Sequence, residues 1–260
     1  MKETEKREGT VQVVSNALKI LEILSNSQKC GVSELARTLG CQKGTVFRLL
    51  STLKKEGYII QDEESEKYYL SLKLFKIGSH RVNSLDFNMA ALPVITQLSQ
   101  ETKETIHLCT VENDQLVYIQ KIESTYALKV TMMSRVGEST PLYCTGVGKV
   151  LLANQGTEKI QRYLKNTELQ KFTENTIVSQ HDLIIELDKI RSAGIAYDNE
   201  EHELGVRCVA APIFNQVGNT IAALSISGPT VRMVDEKLES MRELVKNAAY
   251  EISAKIGYSL

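Results

Sequence analysis

Long apolar runs are missing from this 260-residue sequence, so no stretch of it reads as a bilayer-spanning helix. Cysteine is sparse: five residues, at 30, 41, 109, 144 and 208, an odd number with no close pair. That excludes a disulfide framework and leads us to expect a reducing, cytoplasmic setting. The four histidines, His80, His107, His181 and His202, stand at no metal-ligand spacing from one another or from a cysteine, so neither a structural zinc nor any cofactor is expected. There is no internal repeat, no low-complexity tract and no Pro/Gly-rich linker. The opening Met1-Lys2-Glu3-Thr4-Glu5-Lys6-Arg7-Glu8 has no apolar core, so it does not read as a secretory signal. Net charge is only −1, which rules out a strong whole-molecule field for nucleic acid.

What is present is a globular composition, 42% hydrophobic and 24% charged, in a chain long enough for two domains. The charge is unevenly placed. Residues 1–75 carry 12 basic and 10 acidic side chains, a net of +2, while 76–260 carry 19 and 22, a net of −3. Between 29 and 55 the excess sharpens: Lys29, Arg37, Lys43, Arg48, Lys54 and Lys55 face Glu34 alone. Positive charge is thus concentrated where a nucleic-acid reader would need it.

Periodicity assigns that region a form. Val14, Ala17, Leu18, Leu21 and Leu24 recur at helical spacing and predict a helix over about 11–25. Ser33 is expected to cap a second helix through Leu39, which Gly40 would end. After Cys41-Gln42 a third helix is predicted to about Glu56, burying Val46, Leu49, Leu50 and Leu53, with Gly57 closing it. Two β-prone runs, 58–61 and 67–70, flank the polar tip Asp62-Glu63-Glu64-Ser65-Glu66 and predict a hairpin. Helix, helix, turn, helix, hairpin is the order of a winged helix-turn-helix.

The residues expected on the outer face of the third helix are Gln42, Lys43, Thr45, Arg48 and Thr52. Their chemistry suits the major groove: arginine bonds guanine bidentately, glutamine bonds adenine, and threonine meets a thymine methyl or a phosphate. Lys54, Lys55 and Lys67 are expected to contact phosphate, and Gly44 to let a DNA backbone approach closely. Alone, such a helix would more often be a merely solvated amphipathic face. The neighbouring helix, turn and hairpin favour DNA.

Residues 74–102 read as linker helices, with Pro93 forcing a kink or a fresh start. From Thr105 the pattern changes to short strands, predicted at 105–111, 115–122, 126–133, 206–214 and 220–226. Helices are predicted near 145–153, 157–164, 181–193 and 234–256. The expected fold class is therefore α+β: a DNA-binding domain over 1–73, linker helices over 74–102, and an α/β domain over 103–260 with a mainly antiparallel sheet.

Several separated motifs then carry a resemblance. Gly31-Val32-Ser33-Glu34-Leu35-Ala36 through Thr45-Val46-Phe47-Arg48-Leu49-Leu50-Ser51-Thr52-Leu53 is similar to the N-terminal domain of the IclR family of bacterial regulators. Pro141 to Lys149, Ala222 to Pro229, and Gly194, Asp198, Glu201, Cys208, Val209, Ala210, Ile213, Phe214 and Asn215 resemble its C-terminal motifs. The likeness spans about 11–257. It implies a GAF-like effector domain, a homodimer joined through the N-terminal region, and a possible homotetramer as a dimer of dimers. It also implies an effector site at the backbone of Gly146 and Val147 and the side chains of Asp198, Cys208, Ser225 and Ser227. Val147 stands where many members have alanine.

Elementary chemistry agrees with a small carboxylate effector there. Residues 145–149 open a predicted helix, whose free amides and dipole favour an anion. Ser225 and Ser227 lie two apart on a strand and share a face. A small keto or hydroxy acid, sugar-derived or aromatic, is the expected ligand class, and no membrane partner is expected. Blander readings stand beside these: Cys208 as a buried lining residue, 201–203 as a solvated acidic loop, Arg135 as an exposed loop charge, and Met132 and Met133 as packing near the pocket. Two other functions compete. One is an enzyme with Cys208 or Cys144 as nucleophile and His107 or His202 as base; the other is a winged helix that binds protein. The enzyme has no local motif and would leave the helix-turn-helix unexplained, while winged helices do also serve as protein-interaction modules.

Overall fold

The computed structural model describes residues 11–27, 29–83, 85–127, 132 and 134–259. The chain divides into two compact units, Met1–Ser84 and Leu85–Leu260.

In the first unit, α1 (Gln12–Asn26), α2 (Val32–Leu39) and α3 (Lys43–Lys55) pack around Ile20, Leu24, Leu35, Val46, Leu50 and Ile59. Ser33 does not cap α2. Gly31 takes that place in extended conformation, and the Glu34 carboxylate accepts from its N–H at 3.5 Å, half of a capping box. Gly40 ends α2 in the left-handed region at φ 64°, a conformation glycine adopts at little cost. The hairpin pairs β1 (Ile59–Gln61) with β2 (Tyr68–Leu70), Ile59 opposite Leu70 and Gln61 opposite Tyr68. Cys30 adds a bridge to Tyr68. Helix α4 (Lys73–Asn83) completes this unit.

The second unit opens with α5 (Asp86–Thr102), which runs through Pro93. The break expected at this proline falls instead between α4 and α5. A six-stranded antiparallel sheet follows. Its strands are β3 (Thr105–Glu112), β4 (Gln115–Ile122), β5 (Ser139–Pro141), β6 (Ala196–Asn199), β7 (Val206–Phe214) and β8 (Thr220–Pro229), in the order β5-β4-β3-β8-β7-β6. The short strands β5 and β6 carry too little pattern to be seen in the sequence. The strand expected over 126–133 lies largely outside the described residues, as does Met133.

Strands β7 and β8 are buried almost residue after residue, as central strands covered on both faces must be. Helix α6 (Gly146–Ala153) follows a short 3-10 turn, Leu142–Cys144, and every one of its residues is buried. It packs with α7 (Thr157–Asn166) and α8 (Gln180–Ala193) over Cys109, Ala210 and Ala223. The long α9 (Asp235–Lys255) runs along β7 and packs against α5.

Candidate functional site

The first candidate is a surface. Val46, Leu49, Leu50 and Leu53 hold α3 against the core, which turns Gly44, Arg48, Ser51, Thr52 and Lys55 outward. Gln42 is the exposed N-cap, Lys43 is exposed beside it, and Thr45 is half-buried at the edge of the face. The Thr52 hydroxyl donates to the Arg48 carbonyl at 3.0 Å, so its proton is already engaged and it meets a partner as an acceptor. A Cβ added at Gly44 would meet nothing within 4 Å. The fold itself therefore makes no demand for glycine there.

One residue on this face escaped the sequence reading. Phe47 is 55% exposed, between Gly44 and Ser51, where a thymine methyl or a sugar would give it an apolar partner. Its angle on the helix, outside the Val46–Leu49–Leu50–Leu53 stripe, was the available signal. On the hairpin, Lys67 is exposed, whereas Lys54 donates to Gln61 at 2.9 Å and Lys29 pairs with Asp62. Asp62 Oδ1 also accepts from the Ser65 hydroxyl at 2.6 Å, and these bonds hold its carboxyl well below the usual range.

The second candidate is an interior. Register lays two rows of side chains, polar but for Ala210, across one sheet face: Asp198–Cys208–Ser227–Thr105, then Ala210–Ser225–His107–Lys121. The N-terminus of α6 closes over them. Val147, Asp198, Cys208, Ser225 and Ser227 line one cavity there, together with His107, Tyr118, Thr145 and Ser134. Gly146 lies directly behind it, packed against the Cys208 sulfur. Thr145 caps α6, accepting from the Gly148 amide at 3.0 Å.

The glycines here serve packing rather than ligand approach. A Cβ on Gly146 would stand 2.7 Å from Cys208 Sγ, and one on Gly148 would stand 2.3 Å from the Leu142 carbonyl oxygen.

The charges are held indoors. Lys149, 1% exposed, pairs with Glu201 and lies 3.7 Å from Glu186. Glu201 is thus a buried ion-pair partner, not a solvated loop residue, while His202 and Glu203 beside it are half-buried. The Glu201 amide donates to Asp198 Oδ1 at 2.8 Å. Burial, reinforced by the Glu201 charge, raises the Asp198 carboxyl to about 7. Burial, then the Lys121 charge, lowers His107 to about 3, so its ring is neutral. Burial pushes the Cys144 and Cys208 thiols far up, which leaves no thiolate to act as a nucleophile. Arg135 is exposed, as an ordinary loop charge would be. Sequence reasoning had given His107 a place only in the enzyme alternative and had not singled out Tyr118, because their convergence depends on strand register.

A winged helix-turn-helix coupled in one chain to an α/β domain whose pocket is lined by serine, histidine and aspartate side chains points to a class, the DNA-binding transcription regulators. The family model for the IclR helix-turn-helix domain matches residues 13–63, and that for the bacterial transcriptional regulator IclR C-terminal domain matches 79–254. The chain is 42% identical over 254 residues to the HTH-type transcriptional regulator KdgR of Escherichia coli K12, covering 98% of this chain and 96% of that protein. It is 31% identical to the transcriptional repressor AllR of the same strain, covering 95% and 90%. The crystal structure of Thermotoga maritima IclR superposes with a TM-score of 0.83 at 33% identity, covering 96% of this chain and all of that one. The chain belongs to the IclR family of bacterial transcriptional regulators. It is a DNA-binding regulator and not an enzyme, and no helix among the described residues is long and apolar enough to cross a membrane.

Proposed function

We propose that this regulator reads a palindromic operator as a homodimer, or as a dimer of dimers, and that a small organic acid in the α6–β8 pocket changes its affinity for that operator. The observation that carries the effector half is convergence. Five of the six expected effector residues, from α6, β6, β7 and β8, line one cavity, and the sixth, Gly146, backs it. The cavity's chemistry suits a small keto or hydroxy acid. It offers serine hydroxyls and a helix N-terminus as donors, and it places Asp198, whose carboxyl titrates near neutrality, within reach of a ligand hydroxyl or carboxylate.

On the DNA side, Gln42, Lys43, Thr45, Arg48 and Thr52 read the groove, while Lys55 and Lys67 hold phosphates. Exposed apolar residues support self-association. Val11, Val14 and Leu18 recur at helical spacing at the start of α1, with Leu72 just before α4 and Phe75 on it. Two-fold symmetry in the protein then requires two-fold symmetry in the operator. Repression is the sign we favour, by family habit. A coupling of about 1–3 kcal/mol between pocket and DNA suffices for a several-fold to hundred-fold response.

The test is selection of bound sequences from random duplex DNA by the full-length protein at one fixed salt concentration. One enriched palindrome is expected, with Arg48→Ala weakening it by about 1–3 kcal/mol and relaxing a single base position. Lys55→Ala should weaken all sequences evenly and flatten the salt dependence. Salt-sensitive binding without an enriched sequence would sink the reading of α3 as a sequence reader.

A further inference from the structure

His107 stands at the centre of the pocket floor, on β3 directly opposite Ser225 of β8. Its Nε2 lies 2.9 Å from Ser134 Oγ. Its Nδ1 lies 3.3 Å from Ser227 Oγ and 3.5 Å from Ser225 Oγ, and the two serine oxygens are 3.4 Å apart. Tyr118 meets the ring edge-on at 5.3 Å. Lys121, the next residue in the row, donates to the Ser134 carbonyl at 2.8 Å.

A neutral imidazole has one N–H and one lone pair, whereas every hydroxyl around it can either donate or accept. The position of the ring proton therefore sets the direction of the whole group. With the proton on Nδ1, the ring donates to the serine pair and accepts from Ser134, and both serine O–H bonds are free to point into the cavity. With the proton on Nε2, the ring donates to Ser134 and takes a serine proton at Nδ1, leaving one fewer donor for a ligand. An anion has only acceptors, so it is better matched by the first arrangement, which offers it one more donor.

We propose that His107 is the positioning residue that gives this pocket its preference for acids. Its Nδ1–H form turns the Ser225 and Ser227 hydroxyls toward a carboxylate, and a bound carboxylate in turn fixes that form. The proposal rests on the reading of the pocket as an acid site, and its test separates the two.

Full-length protein labelled with 15N-histidine reports the tautomer directly, the His107 signals being those lost in His107→Gln. Removing both Nδ1 partners with Ser225→Ala/Ser227→Ala should move the ring proton to Nε2, and Ser134→Ala should hold it on Nδ1. Ring nitrogens that follow neither change overturn the proposal. Pyruvate and its amide, pyruvamide, are the ligand probes. Pyruvate should drive His107 fully to Nδ1–H and bind about tenfold more tightly than pyruvamide, the worth of one hydrogen bond to a charged group. His107→Phe should bring that ratio close to one, and His107→Gln, whose amide can donate at the same place, should restore part of it. Pyruvate bound with the same preference by wild type and His107→Phe overturns the proposal but leaves the acid site standing. Failure of the wild type to bind pyruvate removes the acid site and the proposal together.

Discussion

The two units of this chain place their chemistry in opposite ways. In the DNA-binding unit the interior is almost wholly apolar and the groups proposed to read DNA stand on the outer face of α3, separated from the core by the width of a helix. In the second unit the groups of the proposed effector site share the interior with the core: His107, Asp198, Ser225 and Ser227 are all buried, as is the Lys149–Glu201 ion pair beside them. A surface site can change without disturbing the fold beneath it. A buried polar site cannot, because each of its groups needs a partner once water is gone. Function and stability should therefore be separable in the first unit and entangled in the second.

The largest test of that contrast compares two lysine–carboxylate pairs. Lys149→Met leaves the Glu201 carboxylate buried without its cation and should cost about 3–5 kcal/mol, seen as an early loss of the effector unit in calorimetry. Adding Glu201→Gln should recover much of it. Lys29→Met breaks the surface pair with Asp62 and should leave the melting profile within experimental scatter. Equal effects from the two substitutions would end the comparison.

Next in size is the same change made at two first-turn glycines. Gly148→Ala forces a methyl against the Leu142 carbonyl and should cost about 3 kcal/mol or more. Gly44→Ala has open space around it and should instead stabilise α3 by up to about 1 kcal/mol. If α3 approaches a DNA backbone at Gly44, the same variant should bind its operator more weakly, which titration of a labelled duplex measures.

The smallest effect is one of pH, and it is hidden by cancellation. Asp198 is raised in the fold to about 7, so its contribution is fully present below its ordinary carboxylate range and is lost as pH rises toward 7. His107 is lowered to about 3, so its contribution is present above its ordinary range near 6.5 and is lost as pH falls toward 3. Between those limits the two slopes oppose. Glu201, also raised, adds to the first slope, and His202, also lowered, adds to the second. Denaturant melts of the effector unit should thus vary little between pH 4.5 and 6.5, a window set by these shifts. Asp198→Asn should uncover stability that rises with pH by up to about 1.4 kcal/mol per unit, and His107→Gln the reverse. A variant profile as flat as the wild type would show that these groups do not titrate as their burial implies.

Most of the DNA-binding unit was legible because its information is local. A helix of period 3.6 shows its inner face in Val46, Leu49, Leu50 and Leu53, and whatever is left over faces out. Phe47 lies outside that inner stripe and was not among the outward residues named, although its angle on the helix places it there. The cap of α2 was misplaced by two residues, Ser33 for Gly31, since a glycine offers no side chain to mark it. The break after α4 was sought at Pro93, yet α5 runs through that mid-helix proline, which removes only one of the helix's hydrogen-bond donors.

In the effector unit, resemblance supplied six residues that periodicity never could have joined. It was silent on His107, on the burial of Glu201, and on the packing need for Gly146 and Gly148. By itself, then, the sequence determined the order of elements, the apolar faces, the basic outer side of α3 and the family. Only tertiary structure decided which residues from β3, β6, β7, β8 and α6 meet, because strand register and helix docking are settled by contacts between segments distant in the chain. The protonation of Asp198 and His107 was settled there too, since it follows from how much water the finished fold leaves around them.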